Sequence, residues 1–189
     1  MSRTLILGDV HGCSTELREI CRISSPSRVI LVGDLFTKGP DPLGVWELIQ
    51  DYKMESVLGN HDLYIRKRKS KYPKELIRWV YGLPLFIRGE GWCVTHAGLN
   101  PTGGFTSFYM ATMMRSWSNG HPWVDSYIGS QLVIYGHDAR KGLNDRRPFS
   151  LGLDTGCVYG GSLTGYIIEE DRLISVKSEK VYKAIKAIT

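Results

Sequence analysis

Short apolar runs separated by polar turns set the hydropathy pattern of this chain. Thr4 to Leu7 is the first such run, and Arg28 to Val32, Ser56 to Leu58, Trp92 to Thr95 and Leu132 to Tyr135 repeat it at the length of buried strands. Between the first two, Ser14 to Ile23 places Leu17, Ile20 and Cys21 at helical spacing, with Ser14 as the expected N-cap. Pro40-Asp41-Pro42 opens a second helix, Asp41 capping it and Pro42 at its first position, so that Val45, Trp46 and Ile49 face inward. Strands alternating with helices of this length predict βαβ units and a parallel sheet. Leu63 to Tyr81 and Phe105 to Ser118 read as helical insertions, rich in aromatic and basic residues, that cap the strand ends. Farther on, Ser162 to Ile168 and Arg172 to Lys177 read as a hairpin turning at Glu169 to Asp171. With 189 residues and neither repeat nor linker, residues 1–189 are expected to form one domain.

The residues with chemistry begin where these runs stop. Gly8-Asp9 follows the first, Gly33-Asp34 the second, Gly59-Asn60 the third, His96 the fourth and Gly136-His137 the fifth. Ligands of open α/β sheets bind outside the carboxyl ends of the strands, so five loops deliver oxygen and imidazole donors to one place. A pair of divalent cations about 3.5–4 Å apart needs such a set, with one carboxylate able to bridge and positions left for water and substrate. Asp9 and His11 reach one ion from a single turn, Asp34 bridges, and Asn60, His96 and His137 complete the second. Each fragment has an ordinary explanation as a turn, a cap or a satisfied histidine. Five of them at five strand ends make that explanation a poor one.

Composition narrows the setting. Apolar residues are 42% and charged residues 23% of the chain, which excludes a disordered or fibrous protein. No apolar run approaches the roughly 18 residues that span a bilayer, so no membrane association is expected. Cys13, Cys21, Cys93 and Cys157 lack CxxC spacing and sit in apolar surroundings, as buried free thiols of a cytoplasmic protein do. A net charge of +5 favours an anionic partner. Basic residues concentrate at Arg66, Lys67, Arg68, Lys69 and Lys71, and at Arg140, Lys141, Arg146 and Arg147. Either run is a solvated face or, where it overhangs the strand ends, a polyphosphate clamp; beside the first, Tyr64, Tyr72 and Trp79 read individually as core residues before they read as rings for stacking a base.

The strings GDVHG, GDLFTKGP, LGNHD, THAG and YGH resemble the signature of the phosphoprotein phosphatase superfamily of metallophosphoesterases. GDLFTKGPDPLGVWELI, YGHDARKGL and GLDTGCVYGGSLTGY are most similar to its branch of symmetrical bis(5'-nucleosyl)-tetraphosphatases and diadenosine-tetraphosphatase-like phosphatases, over residues 5–176. The resemblance implies an α/β fold with a central β-sandwich and helices on both outer faces. It implies Asp9, His11, Asp34, Asn60, His96 and His137 as ligands of two divalent ions, Mn first among Mn, Fe, Zn, Co and Mg. It also implies direct attack by a hydroxide bridging the ions, His61 at the leaving group, and Lys38 and Arg66 as phosphate clamps. Lys38 stands where the superfamily more usually has Arg, which weakens bidentate recognition. Thr37 stands where the protein phosphatases have the Asp that supports the histidine matching His61. Three readings follow: hydrolysis of dinucleoside polyphosphates or related nucleotide and capped RNA 5' ends, which position 37 favours; a serine/threonine or tyrosine phosphoprotein phosphatase; and a non-enzymatic scaffold of the same fold.

Overall fold

The structure is a computed structural model, which describes residues 3–67, 71–102, 106–116 and 120–184 without the Arg66 side chain. Two five-stranded sheets face each other. The first has the order β10 (Arg172–Lys177), β9 (Ser162–Ile167), β1 (Thr4–Leu7), β2 (Arg28–Leu31) and β3 (Glu55–Ser56). The second runs β4 (Phe86–Gly89), β5 (Trp92–Thr95), β6 (Leu132–Tyr135), β8 (Ser150–Gly152) and β7 (Asn144–Arg146). β1, β2 and β3 are parallel, as are β5, β6 and β8, but β9, β10, β4 and β7 pair antiparallel. The expected parallel sheet is therefore corrected to two mixed ones. The antiparallel edges come from hairpin connections, which need only a short turn where a parallel crossover needs a helix.

Side-chain alternation explains the layering. Successive residues of a strand point to opposite faces. Ile6, Ile30 and Val32 of the first sheet meet Trp92, Val94, Ile134 and Leu151 of the second in a dry inner layer. Leu5, Leu7, Val29 and Leu31 point the other way, into a core closed by α1 (Ser14–Ser24), α2 (Pro42–Asp51) and α4 (Lys74–Tyr81). On the far face of the second sheet, Val133 and Tyr135 pack with Met114, Trp123 and Tyr127, beside α5 (Phe108–Met113). The result is the four-layered helix–sheet–sheet–helix order. Among the described residues no helix is long and apolar enough to cross a membrane.

Local signals are mostly obeyed. Asp41 caps α2, its Oδ1 accepting the Gly44 N–H at 2.9 Å. Ser14 does not cap α1: Cys13 holds that position without a side-chain bond, and Ser14 Oγ donates to Asp41 Oδ2 at 2.6 Å, tying the two helix starts together. The insertion expected at 63–81 divides into α3 (Asp62–Lys67) and α4, and α4 packs inward. It buries Leu76 and Val80 in the helical core, and Trp79 packs against Phe36 and Trp46 with ring centroids 6.4 and 5.6 Å apart. Tyr72 joins the same cluster. These rings serve packing, not base stacking. Trp79→Ala is expected to lower unfolding free energy by about 2–4 kcal/mol in a denaturant titration while leaving KM at its wild-type value; a raised KM would restore the cap.

Candidate metal centre

The two sheets abut so that the loops after β1, β2 and β3 meet those after β5 and β6, and each loop turns sharply. His11, Asp34, Lys38 and His137 have positive φ, at 47°, 57°, 70° and 75°. Such backbone costs about 1–3 kcal/mol per residue and persists where the surroundings impose it, commonly at functional sites. The neighbouring glycines permit close approach. A Cβ on Gly136 would stand 2.0 Å from Asp9 Oδ1, and one on Gly33 would stand 2.6 Å from the Gly59 nitrogen.

The six expected donors converge, though they come from residues up to 128 apart in sequence. Asp34 lies in the middle, with Oδ2 3.6 Å from His11 Nε2 and Oδ1 3.5 Å from His96 Nε2. On one side Asp9, His11 and Asp34 bring their donor atoms together; on the other, Asp34, His96 and His137 do so. Asn60 Oδ1 sits 3.0 Å from His96 Nε2 and 2.9 Å from His137 Nδ1, completing the second group. Each imidazole is oriented from behind. His96 Nδ1 faces the Val32 carbonyl at 2.8 Å, His137 Nε2 the Met113 carbonyl at 3.1 Å, and His11 Nδ1 the Thr37 hydroxyl at 3.3 Å. Donation to those carbonyls leaves the lone pairs of His96 Nε2 and His137 Nδ1 turned toward the cluster.

Electrostatics ask for a cation. Burial, with Asp154 and Asp34 close by, pushes the Asp9 carboxyl well up from its ordinary value. Its Oδ2 is buried without a hydrogen-bond partner. Burial also raises Asp34 and Asp154, and lowers His11, His96 and His137. Imidazoles held neutral are ready ligands, and carboxyls pushed up by burial and crowding gain from a cation, which restores their charged form. A positive charge already inserts there: Lys38 Nζ is 2.7 Å from His11 Nε2. Cys13, Glu16 and Cys157 also cluster, but Glu16 is engaged by the Glu179 N–H and the Tyr182 hydroxyl. All four cysteines are buried and free.

The sequence profile of the calcineurin-like phosphoesterases matches residues 2–182. The chain belongs to this family. Among curated relatives, the symmetrical bis(5'-nucleosyl)-tetraphosphatase of Edwardsiella ictaluri is 25% identical over 97% of this chain and 99% of its own. The asymmetrical bis(5'-nucleosyl)-tetraphosphatase PrpE of Oceanobacillus iheyensis is 26% identical over 96% and 94%. A crystal structure assigned as a candidate diadenosine tetraphosphatase superposes with a TM-score of 0.87 at 34% identity, covering 94% of both chains. A Saccharomyces cerevisiae serine/threonine phosphatase, at 14% identity and a TM-score of 0.59, shares the fold alone, over 95% of this chain and 80% of its own. As a calcineurin-like phosphoesterase the chain is a hydrolytic enzyme, and its fold implies divalent metal ions.

In this phosphoesterase the structure adds three residues to those expected. Asp62, fully buried, accepts the backbone N–H groups of Asp34, Leu35 and Gly59 at 2.8, 2.9 and 3.1 Å, stapling two ligand-bearing loops together. Asp154 adds a third carboxylate close to Asp9 and Asp34. Arg115 donates to the His137 carbonyl at 3.3 Å, and its charge draws the pKa values of Asp34 and His96 downward. Of the two expected phosphate clamps, Lys38 is at the cluster, whereas the Arg66 side chain lies outside the described residues. His61 donates its backbone N–H to Asp34 Oδ1 at 2.8 Å, and its ring stands between His11 and Tyr64. No carboxylate among the described residues is bonded to the His61 ring. Burial and the Lys38 charge lower its pKa to about 4.

Proposed function

We propose that the protein hydrolyses phosphoanhydride bonds of dinucleoside polyphosphates of the diadenosine tetraphosphate type, using two divalent ions, Mn first among them. Asp9, His11 and Asp34 hold one ion; Asp34, Asn60, His96 and His137 hold the other. The observation that carries this reading is the place of Asp34 in both donor groups, as a bridging carboxylate requires. Ions held there supply a water acidic enough to attack near neutral pH and positive charge for the phosphoryl oxygens.

The side chains do the rest. Lys38 and Arg115 carry positive charge to the phosphate that sits on the cluster, where charge develops in an in-line displacement. His61 stands at its edge, on the leaving-group side. Position 37 bears on the substrate class: Thr37 is uncharged and faces His11, and no carboxylate among the described residues is bonded to the His61 ring to raise its basicity. A leaving group that departs without strong protonation, such as a terminal phosphate, suits this arrangement, and the names of the two relatives agree with it. Metal-loaded protein incubated with diadenosine tetraphosphate and resolved by chromatography tests the reading. Two diphosphates denote symmetrical cleavage, a triphosphate with a monophosphate the asymmetrical kind, and unchanged substrate refutes the proposal.

Because Thr37 orients a ligand from behind, Thr37→Val is expected to weaken metal binding by about 10–100-fold with the fold retained. A metal titration followed by calorimetry measures this, and wild-type affinity would show the 3.3 Å contact to be incidental.

A further inference from the structure

A cleft of about 540 Å³ opens beside the cluster, within the range of small-molecule sites. Lys38, Arg115, Arg140 and Lys183 line it. Asp138, on the same wall, is engaged by Arg140 at 2.8 Å and Arg115 at 3.6 Å. Lys183 forms no ion pair among the described residues, yet its charge reaches the cluster and contributes to lowering His11 and His61. Tyr159 is the one large aromatic ring on the cleft's described walls, and Lys38 Nζ lies 5.4 Å over it. Lys38, His137 and Asp154 border cluster and cleft alike, so a chain of phosphates can pass from one to the other alongside Lys38.

Lys183 is not a loose surface lysine. Residues 178–183 form a strap that reaches the cleft at Lys183, with the Ser178 N–H on the Gly161 carbonyl at 3.0 Å and the Lys183 N–H on the Val158 carbonyl at 2.9 Å. Buried Glu16, on α1, fixes the middle of the strap by accepting the Glu179 N–H at 3.0 Å and the Tyr182 hydroxyl at 2.9 Å. A carboxylate from the helix that follows the His11 loop thereby sets where a cation stands on the opposite wall.

We infer that this cleft binds the nucleoside diphosphate end of the substrate, with the base on Tyr159 and the phosphates on Lys183, Lys38 and Arg115. The inference rests on the dinucleoside polyphosphate reading and assigns to it the surface that holds the nucleoside. Stacking of a base on one ring and pairing with one lysine each predict a roughly tenfold or larger loss on removal. Calorimetry on the metal-loaded full chain, with ADP and inorganic phosphate as separate probes, reads this out. Tyr159→Leu is expected to weaken ADP by that factor and phosphate far less, whereas Lys183→Ala, which removes a phosphate partner, is expected to weaken ADP by that factor and phosphate as well. Tyr159→Phe and Lys183→Arg, which keep ring and charge, are expected to restore ADP binding, with melting curves checking that all four fold. Equal weakening of both probes by Tyr159→Leu, or unchanged ADP affinity in either variant, overturns the assignment. ADP binding that responds as stated, in a wild-type protein that leaves diadenosine tetraphosphate intact, sinks the proposed activity and keeps the cleft. Cleavage with ADP affinity indifferent to both variants does the reverse.

Discussion

Asp34→Asn is expected to reduce kcat by about 10³-fold or more, equivalent to roughly 4 kcal/mol of transition-state stabilisation. The carboxylate stands 3.6 and 3.5 Å from imidazoles of two donor groups through different oxygens, so replacing one oxygen with an amide nitrogen removes a ligand atom from one group and the negative charge shared by both. A carboxamide offers one acceptor oxygen and no charge. That oxygen can still accept the His61 N–H, which Asp34 Oδ1 accepts at 2.8 Å, so the loop is expected to hold in the variant. Elemental analysis of the purified variant should show fewer ions per chain than wild type, and far-UV circular dichroism should match. Exhaustive chelation of wild type should give the same loss, reversed by adding metal back. Wild-type turnover in the variant, or after chelation, would end the two-ion mechanism.

The second large effect concerns the leaving group. A serine alkoxide has a conjugate-acid pKa near that of bulk water, about 15.7, whereas a terminal phosphate has one near about 6. At 1.36 kcal/mol per unit, even a third of the charge developing in the transition state makes this gap worth roughly 4 kcal/mol, or about 10³ in rate. An enzyme that protonates the leaving oxygen well closes the gap. Here no carboxylate among the described residues is bonded to the His61 ring, and Thr37 faces His11 instead. The expected order of kcat/KM is therefore diadenosine tetraphosphate, then an aryl phosphomonoester, then a phosphoserine peptide, the first and last separated by about three orders of magnitude. Comparable rates on the peptide and the anhydride would favour a phosphoprotein phosphatase in place of the reading proposed here.

How much of this is legible in the residues depends on how local each signal is. β1, β5 and β6 fall where continuous apolar runs place them, because a strand buried on both faces needs one. β4 and β7 give no such signal because they are edge strands, and Asn144–Arg146 contains no apolar residue at all. The six donors are readable since each ends a strand beside a turn-forming residue. Asp62 and Asp154 lie inside the strings LGNHD and GLDTG, but a carboxylate that accepts backbone N–H groups looks like any other until the loops around it are placed. Arg115 has no local signal; its position follows from the packing of the segment after α5 against the second sheet. Tyr72 and Trp79 offer stacking surface in the sequence and go to the core in the fold, where large rings find most of their burial.

The two donor groups differ in what must happen before each exists. Asp9, His11 and Asp34 all hang from the β1–β2 unit, a parallel pair joined through one helix, and contacts of that kind close early and cheaply in chain entropy. The group of Asp34, His96 and His137 draws on both sheets and comes into being only when the sandwich closes. The ligands of the first position thus come from one supersecondary unit, with the His137 N–H on Asp9 Oδ1 added as the sheets dock, whereas those of the second come together only in the docked sheets. An ion held there would act as a clasp between halves of the molecule, so metal loading is expected to slow amide exchange on facing strands of both sheets, β5 and β6 as well as β1 and β2.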